Sequence, residues 1–158
     1  MTVLENLISS NLDECDTLIQ SDKNFQKHRS VLRKVIKACI DKRPEDNDQN
    51  ATLKDMNEKL ADLNRRSLLQ KLKILADRWQ VPLDGINDEK LQDAIKARNS
   101  IVHTGQYPNH NESKLWVHFT VIHEVVTRFL LTALGYQGKY LSHFGGLHDA
   151  DFPPLKIS

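Results

Sequence analysis

Asn87-Asp88-Glu89-Lys90-Leu91-Gln92-Asp93-Ala94-Ile95-Lys96-Ala97-Arg98-Asn99-Ser100-Ile101-Val102-His103-Thr104-Gly105 carries its own start and stop signals, and the rest of the chain is read outward from it. Asn87 or Asp88 caps a helix, and Gly105 after Thr104 can take the left-handed conformation that closes one. Each residue of an α-helix advances about 100°, so Leu91, Ile95, Arg98 and Val102 share one arc that should face a core or a partner. A guanidinium in that arc keeps its proton and costs several kcal/mol if buried unpaired. It therefore needs a carboxylate, a water-filled cleft or an anion such as phosphate.

The flanking sequence reads as further helices. Val3 to Ile19 places Leu4, Leu7, Ile8, Leu12, Cys15, Leu18 and Ile19 at three- and four-residue steps, with Ser9-Ser10-Asn11 as a break or bend. From Phe25 to Ile40 an apolar stripe of Val31, Leu32, Val35, Ile36, Cys39 and Ile40 opposes a basic row of Arg29, Arg33 and Lys37. Lys42 to Asn50, with Pro44, reads as a solvated loop before a helical region from Thr52 to about Gln80 that breaks near Asn64. The turn Gln106 to Asn111, with Pro108, precedes an apolar helix from Glu112 to Leu134 that Gly135 stops. The tail holds Gly138, Gly145, Gly146 and Pro153-Pro154 and reads as irregular, strapped across the bundle by Tyr136, Tyr140, Leu141 and Phe144. The expected fold is all-α, an antiparallel bundle of about five helices with an irregular C-terminal tail. It would form a single domain over residues 1–158, with its helical core at about 25–135 and the tail at 136–158.

Composition sets the class. With 158 residues, 39% apolar and 27% charged, the chain can close one compact core, and its net charge of +1 does not by itself select a nucleic-acid partner. Lys and Arg crowd the segment from Asp22 to Arg43, ahead of an acidic, Asn-rich stretch from Glu45 to Asp55, a pattern common on solvated helix faces. Cys15 and Cys39 lack metal or redox spacing, which fits a reducing cytoplasmic location. No apolar run reaches the roughly 20 residues of a membrane span, and no signal-peptide pattern follows Met1.

Arg98, Asn99 and His103 are the candidate catalytic residues. On a continuous helix, Arg98 and His103 lie about 140° apart around the axis and about 7.5 Å apart along it, too far to share one phosphate unless the Thr-Gly stop bends the chain. His103 falls in the last turn, where unpaired carbonyls favour the imidazolium form, and it suits proton transfer near neutral pH. Arg98 supplies a planar fork for phosphate oxygens, and the Asn99 amide can fix the histidine or the substrate. Attack of a ribose 2′-OH on the adjacent phosphate needs both a base and an acid. One histidine cannot serve as both in one step, whereas an isologous dimer would line one cleft with two copies.

Arg98-Asn99-x-x-x-His103 resembles the Arg-x(4 to 6)-His motif of the HEPN superfamily of small α-helical domains. The longer string Lys96 to Gly105, with the later Leu134-Gly135-Tyr136-Gln137-Gly138-Lys139-Tyr140, looks most like the ApeA-type branch. The resemblance covers roughly Phe25 to Tyr140. It implies a homodimer with motif helices apposed, acting as a metal-independent endoribonuclease on RNA in prokaryotic antiphage defence or a toxin system. No cofactor is implied. In ApeA-type proteins the HEPN unit is commonly the C-terminal part of a longer chain, so the resemblance leaves two alternatives, a piece of a larger protein with a further domain or partner protein, or a stand-alone version. The alternative within the family is a non-catalytic HEPN dimer that binds RNA or nucleotide, or serves as an interaction module. HepT toxins carry a tyrosine two residues after the histidine as a target of nucleotide modification. Here that position is Gly105 and the nearest tyrosine is Tyr107, so that regulation is not carried over.

Each residue also has a plainer role. Arg98 can pair with Asp93 or with an acid on another helix, and His103 can be a helix cap. His118 and His123, five apart, lack the i, i+4 spacing of a zinc site and read as surface or interface residues. His143 and His148 flank a Phe-Gly-Gly-Leu turn with nothing nearby to complete a metal shell, and Trp79 and Trp116 read as core or interface aromatics. Arg29, Arg33 and Lys37 read as solvated; if RNA binds, they and Arg65-Arg66 are the candidates for backbone contacts.

Overall fold

The computed structural model describes residues 3–41, 49–107 and 112–154. The expected Pro44 loop and Pro108 turn fall largely outside these residues. Seven helices are present among them: α1 Val3–Asn11, α2 Glu14–Thr17, α3 Asp22–Ile40, α4 Gln49–Asp62, α5 Leu68–Trp79, α6 Asp88–Thr104 and α7 Glu112–Ala133. Two strands follow, β1 Gly138–Ser142 and β2 His148–Phe152. The fold is mainly helical, with more helices than the five expected and a small sheet in place of an irregular tail.

Side chains that satisfy backbone elsewhere account for the extra helices. After α1, the Asp13 and Asp16 carboxylates cap the short α2 in a reciprocal box, with Asp13 N–H donating to Asp16 Oδ2 at 3.1 Å. Between α4 and α5, the buried Asn64 turns its amide to the Gln20 backbone, donating to its carbonyl and accepting from its N–H, each at 2.9 Å. Ile19 N–H adds a bond to the Asn64 carbonyl at 2.7 Å. These long-range bonds replace helical ones, so the region from Thr52 to Gln80 breaks near Asn64, as its sequence predicts.

The described residues form two compact units, each with its own interior contacts. The first contains α1, α5, α6, α7 and the strands. Its core is built from Leu4 and Ile8 of α1, Leu72 and Leu75 of α5, Leu91 and Ile95 of α6, and Val121, Val125 and Phe129 of α7. Full burial of each large side chain contributes roughly 1.5–3 kcal/mol. Helix α1 thus belongs to this core, although it precedes the helical core expected from residue 25.

The second unit, Leu12–Ser67, contains α2, α3 and α4. Here α3 departs in part from expectation. Arg29 Nη2 donates to the Asn57 carbonyl of α4 at 3.1 Å and Arg33 Nε to Asn57 Oδ1 at 2.7 Å, while Val31, Leu32 and Val35 are exposed. Arg29 and Arg33 thus reach α4 while Lys37 stays exposed, and the apolar stripe is split, with Ile36 half-buried and Ile40 buried at the end of the helix.

The tail of the first unit is an antiparallel hairpin pairing Gly138 with Phe152, Tyr140 with Ala150 and Ser142 with His148. Gly145 and Gly146, at φ 77° and 111°, make the reversal that a side chain would strain. Tyr140 and Phe144 turn inward as expected, whereas Leu141 is exposed and the Tyr136 hydroxyl donates to the nearby Lys139 carbonyl at 2.6 Å. Lys139 and Asp151 face each other on the outer side of the ladder, so the period-two alternation is present but spans only five residues per strand. No described helix is long and apolar enough to cross a membrane.

Candidate functional site

Helix α6 forms where its signals place it. Asn87 Oδ1 accepts from Lys90 N–H at 2.9 Å, and Gly105 at φ 69° takes the left-handed stop. The arc of Leu91, Ile95, Arg98 and Val102 begins in the core and surfaces toward its end: Leu91 and Ile95 are buried, the Arg98 side chain is 17% exposed and Val102 is 55% exposed.

The last turn does not bend. Gly105 N–H still bonds to the Ile101 carbonyl at 2.9 Å, and Thr104 Oγ1 donates back to Ser100 O at 2.7 Å. His103 stands exposed on this regular turn. The expected freedom at Thr104-Gly105 therefore begins only after the histidine, and Arg98 and His103 keep the angular separation of a straight helix.

Arg98 finds a partner on another helix. Its Nη2 lies 2.9 Å from Glu5 Oε2 of α1, and its Nη1 donates to Asn99 Oδ1 at 2.7 Å. Asp93, the other partner considered from the sequence, pairs instead with Lys96 at 3.5 Å. The Glu5 side chain is 36% exposed, so the pair sits at the rim of the core. Beside it, Ile101, Val102, Leu115 and Phe119 are all exposed and line a shallow groove of about 180 Å³ that also touches Arg98.

The same end of α7 carries a ladder of rings. Trp116 stacks on Phe119 with centroids 5.4 Å apart, Phe119 meets His123 at 5.8 Å, and His143 of the hairpin loop stands edge-on to both Trp116 and His123. His118 is half-buried and its Nδ1 lies 2.8 Å from the Tyr107 hydroxyl. Trp116, at 59% exposed, is not a core residue, whereas Trp79 packs on Phe129 inside the unit. A cavity of about 740 Å³ opens between α6, α7 and the hairpin loop, with Trp116, His118 and His143 among its walls. No group of three or more His, Cys, Asp or Glu side chains among the described residues is placed to hold a metal ion.

The suggested RNA-contact residues all lie in the second unit. Arg29 and Arg33 bond to Asn57, the exposed Arg65 pairs with Asp62 at 3.5 Å, and Arg66 lies half-buried beside Glu14, Leu18 and Asp22. Lys37 is exposed on α3.

One polar cluster went unnoticed in the sequence. Glu124 of α7 is 1% exposed and accepts from Arg128 Nε at 2.9 Å, from Ser142 Oγ at 2.8 Å and from the Tyr140 hydroxyl. Arg128 also donates to the carbonyls of Pro82 and Asp84 at 3.1 and 2.9 Å. Burial alone would push the Glu124 carboxyl up, but the hydrogen bonds from Tyr140, Ser142 and Arg128 and the Arg128 charge hold it below its ordinary value. Burial and the bond to Glu124 push the Tyr140 hydroxyl up. This cluster ties the hairpin and the α5–α6 loop to α7. Its only sequence signal is an acid and a base four residues apart in an otherwise apolar helix.

Compared with protein-family models, characterised proteins and solved structures, the chain matches none.

Proposed function

We propose that this chain is a HEPN-type, metal-independent endoribonuclease whose cleft is completed by a second copy of itself. The observation that carries the reading is the end of α6, where an exposed His103 and a rim-held Arg98 border the exposed apolar groove of Ile101, Val102, Leu115 and Phe119. Arg98 and His103 cannot converge within one straight helix. A twofold contact through this groove would bring two copies of each together. One His103 would then take the 2′-OH proton and the other protonate the leaving 5′ oxygen, while Arg98 neutralises the phosphate and Asn99 orients the guanidinium.

The Arg98–Glu5 pair favours the second reading, a non-catalytic dimer that binds RNA or serves as an interaction module, since a guanidinium already holding a carboxylate has less to offer a phosphate. The two readings part in one assay. Single-stranded RNA is incubated in EDTA with the wild type and with His103→Ala, while sedimentation reports the oligomeric state. The enzyme reading expects a dimer, 2′,3′-cyclic phosphate ends and a loss of roughly 10²–10⁴-fold in rate on removal of the histidine. Equal behaviour of the two proteins, both dimeric, leaves the binding module; a monomer at assay concentration overturns both readings.

A further inference from the structure

The cavity beside the ring ladder has the chemistry of a nucleotide subsite. Its volume of about 740 Å³ is in the range of small-ligand pockets. One wall is the exposed Trp116 ring, which stacks on Phe119, itself absent from the cavity's walls, and is met edge-on by His143. Lys90 and Lys114 stand at the walls as cations, with Lys90 Nζ held 5.2 Å over the Phe144 ring. Glu89 and Asp93 supply carboxylate acceptors one turn apart on α6. Gly145 and Gly146 of the hairpin loop line the cavity without side chains.

We propose that this cavity receives one unpaired nucleotide of a single-stranded RNA, its base stacked on Trp116, its N–H edge or ribose hydroxyls toward Glu89 and Asp93, and a phosphate at Lys90 and Lys114. Every base has a π-face, so an aromatic platform grips single strands without sequence, and carboxylates add preference for bases that present amino groups. His118 lines both this cavity and the groove at Arg98, which makes the two neighbours on one surface. As a substrate subsite, the cavity rests on the ribonuclease reading. As a binding site, it stands by itself.

The test separates the two. A short oligodeoxynucleotide, which lacks the 2′-OH and cannot be cut by this chemistry, and a matching RNA are titrated into His103→Ala protein while tryptophan emission and sedimentation are followed. Both ligands should quench Trp116, Trp116→Ala should weaken binding at least about tenfold, and Trp116→Phe should keep most of it. Lys114→Ala should weaken binding and flatten its salt dependence. Wild-type affinity in Trp116→Ala, or no binding at all, overturns the inference without touching the cleavage result. So does a Trp116→Ala protein that loses a dimer while the titrations leave emission unchanged, because the platform is then a contact between copies. Quenching without any cleavage by the wild type keeps the subsite and removes the enzyme.

Discussion

Arg128 and Arg98 each hold a carboxylate at 2.9 Å, and the two pairs differ in almost everything else. Arg128 and Glu124 are 8% and 1% exposed, lie one turn apart on α7, and spend further bonds on Pro82, Asp84, Tyr140 and Ser142. Arg98 and Glu5 are 17% and 36% exposed and join two helices at the edge of an apolar groove. A sealed pair of charges is a structural clasp: its partners are already taken and water cannot substitute for a lost one. A pair at the rim can exchange its carboxylate for another anion at modest cost. The same residue type is thus scaffold in one place and a candidate for chemistry in the other.

The largest effect should come from breaking the sealed pair. Glu124→Ala leaves a buried guanidinium uncompensated and should cost about 3–5 kcal/mol in denaturant unfolding, with the hairpin losing amide-exchange protection first. An effect below about 1 kcal/mol would show that water reaches the cluster and would erase the contrast. Acid and alkali approach the same cluster from opposite sides. Glu124 is held below its ordinary 4.5, so its contribution is present above that value and disappears as pH falls through its lowered pKa. Tyr140 is raised above its ordinary 10.0, so its contribution is present below that value and disappears as pH rises through its raised pKa. Unfolding followed against pH should show both losses, and both should vanish in a Glu124→Gln, Tyr140→Phe double variant. The smallest change belongs to the rim. Glu5→Gln should shift stability by no more than about 1 kcal/mol and tighten binding of inorganic phosphate or RNA by freeing Arg98. A loss as large as that of Glu124→Ala would put both pairs in the structural class.

The helix at Asn87 to Gly105 was legible because its cap, its stop and its spacing are local. So was the break near Asn64, whereas Ser9-Ser10-Asn11 end α1 as helical residues and the break comes just after them, at Leu12-Asp13. The hairpin was not, since two five-residue strands give little periodic signal and the glycines that mark its turn also mark irregular chain. The contacts of α3 were legible only in part, for a different reason. Periodicity locates an apolar stripe but says nothing of what covers it: only its Ile36 and Ile40 end is covered, and Arg29 and Arg33 bond to Asn57 of α4.

What the sequence alone determined is the helical character, the limits of α6 and the presence of a cation in its apolar arc, because capping, turn geometry and the helical period act over a few residues. Only the tertiary structure decided that Arg98 meets Glu5, that Trp116 faces outward beside His143, and that Glu124 is sealed under Tyr140 and Ser142. Those pairings join residues far apart in the chain, and packing alone determines which of them meet.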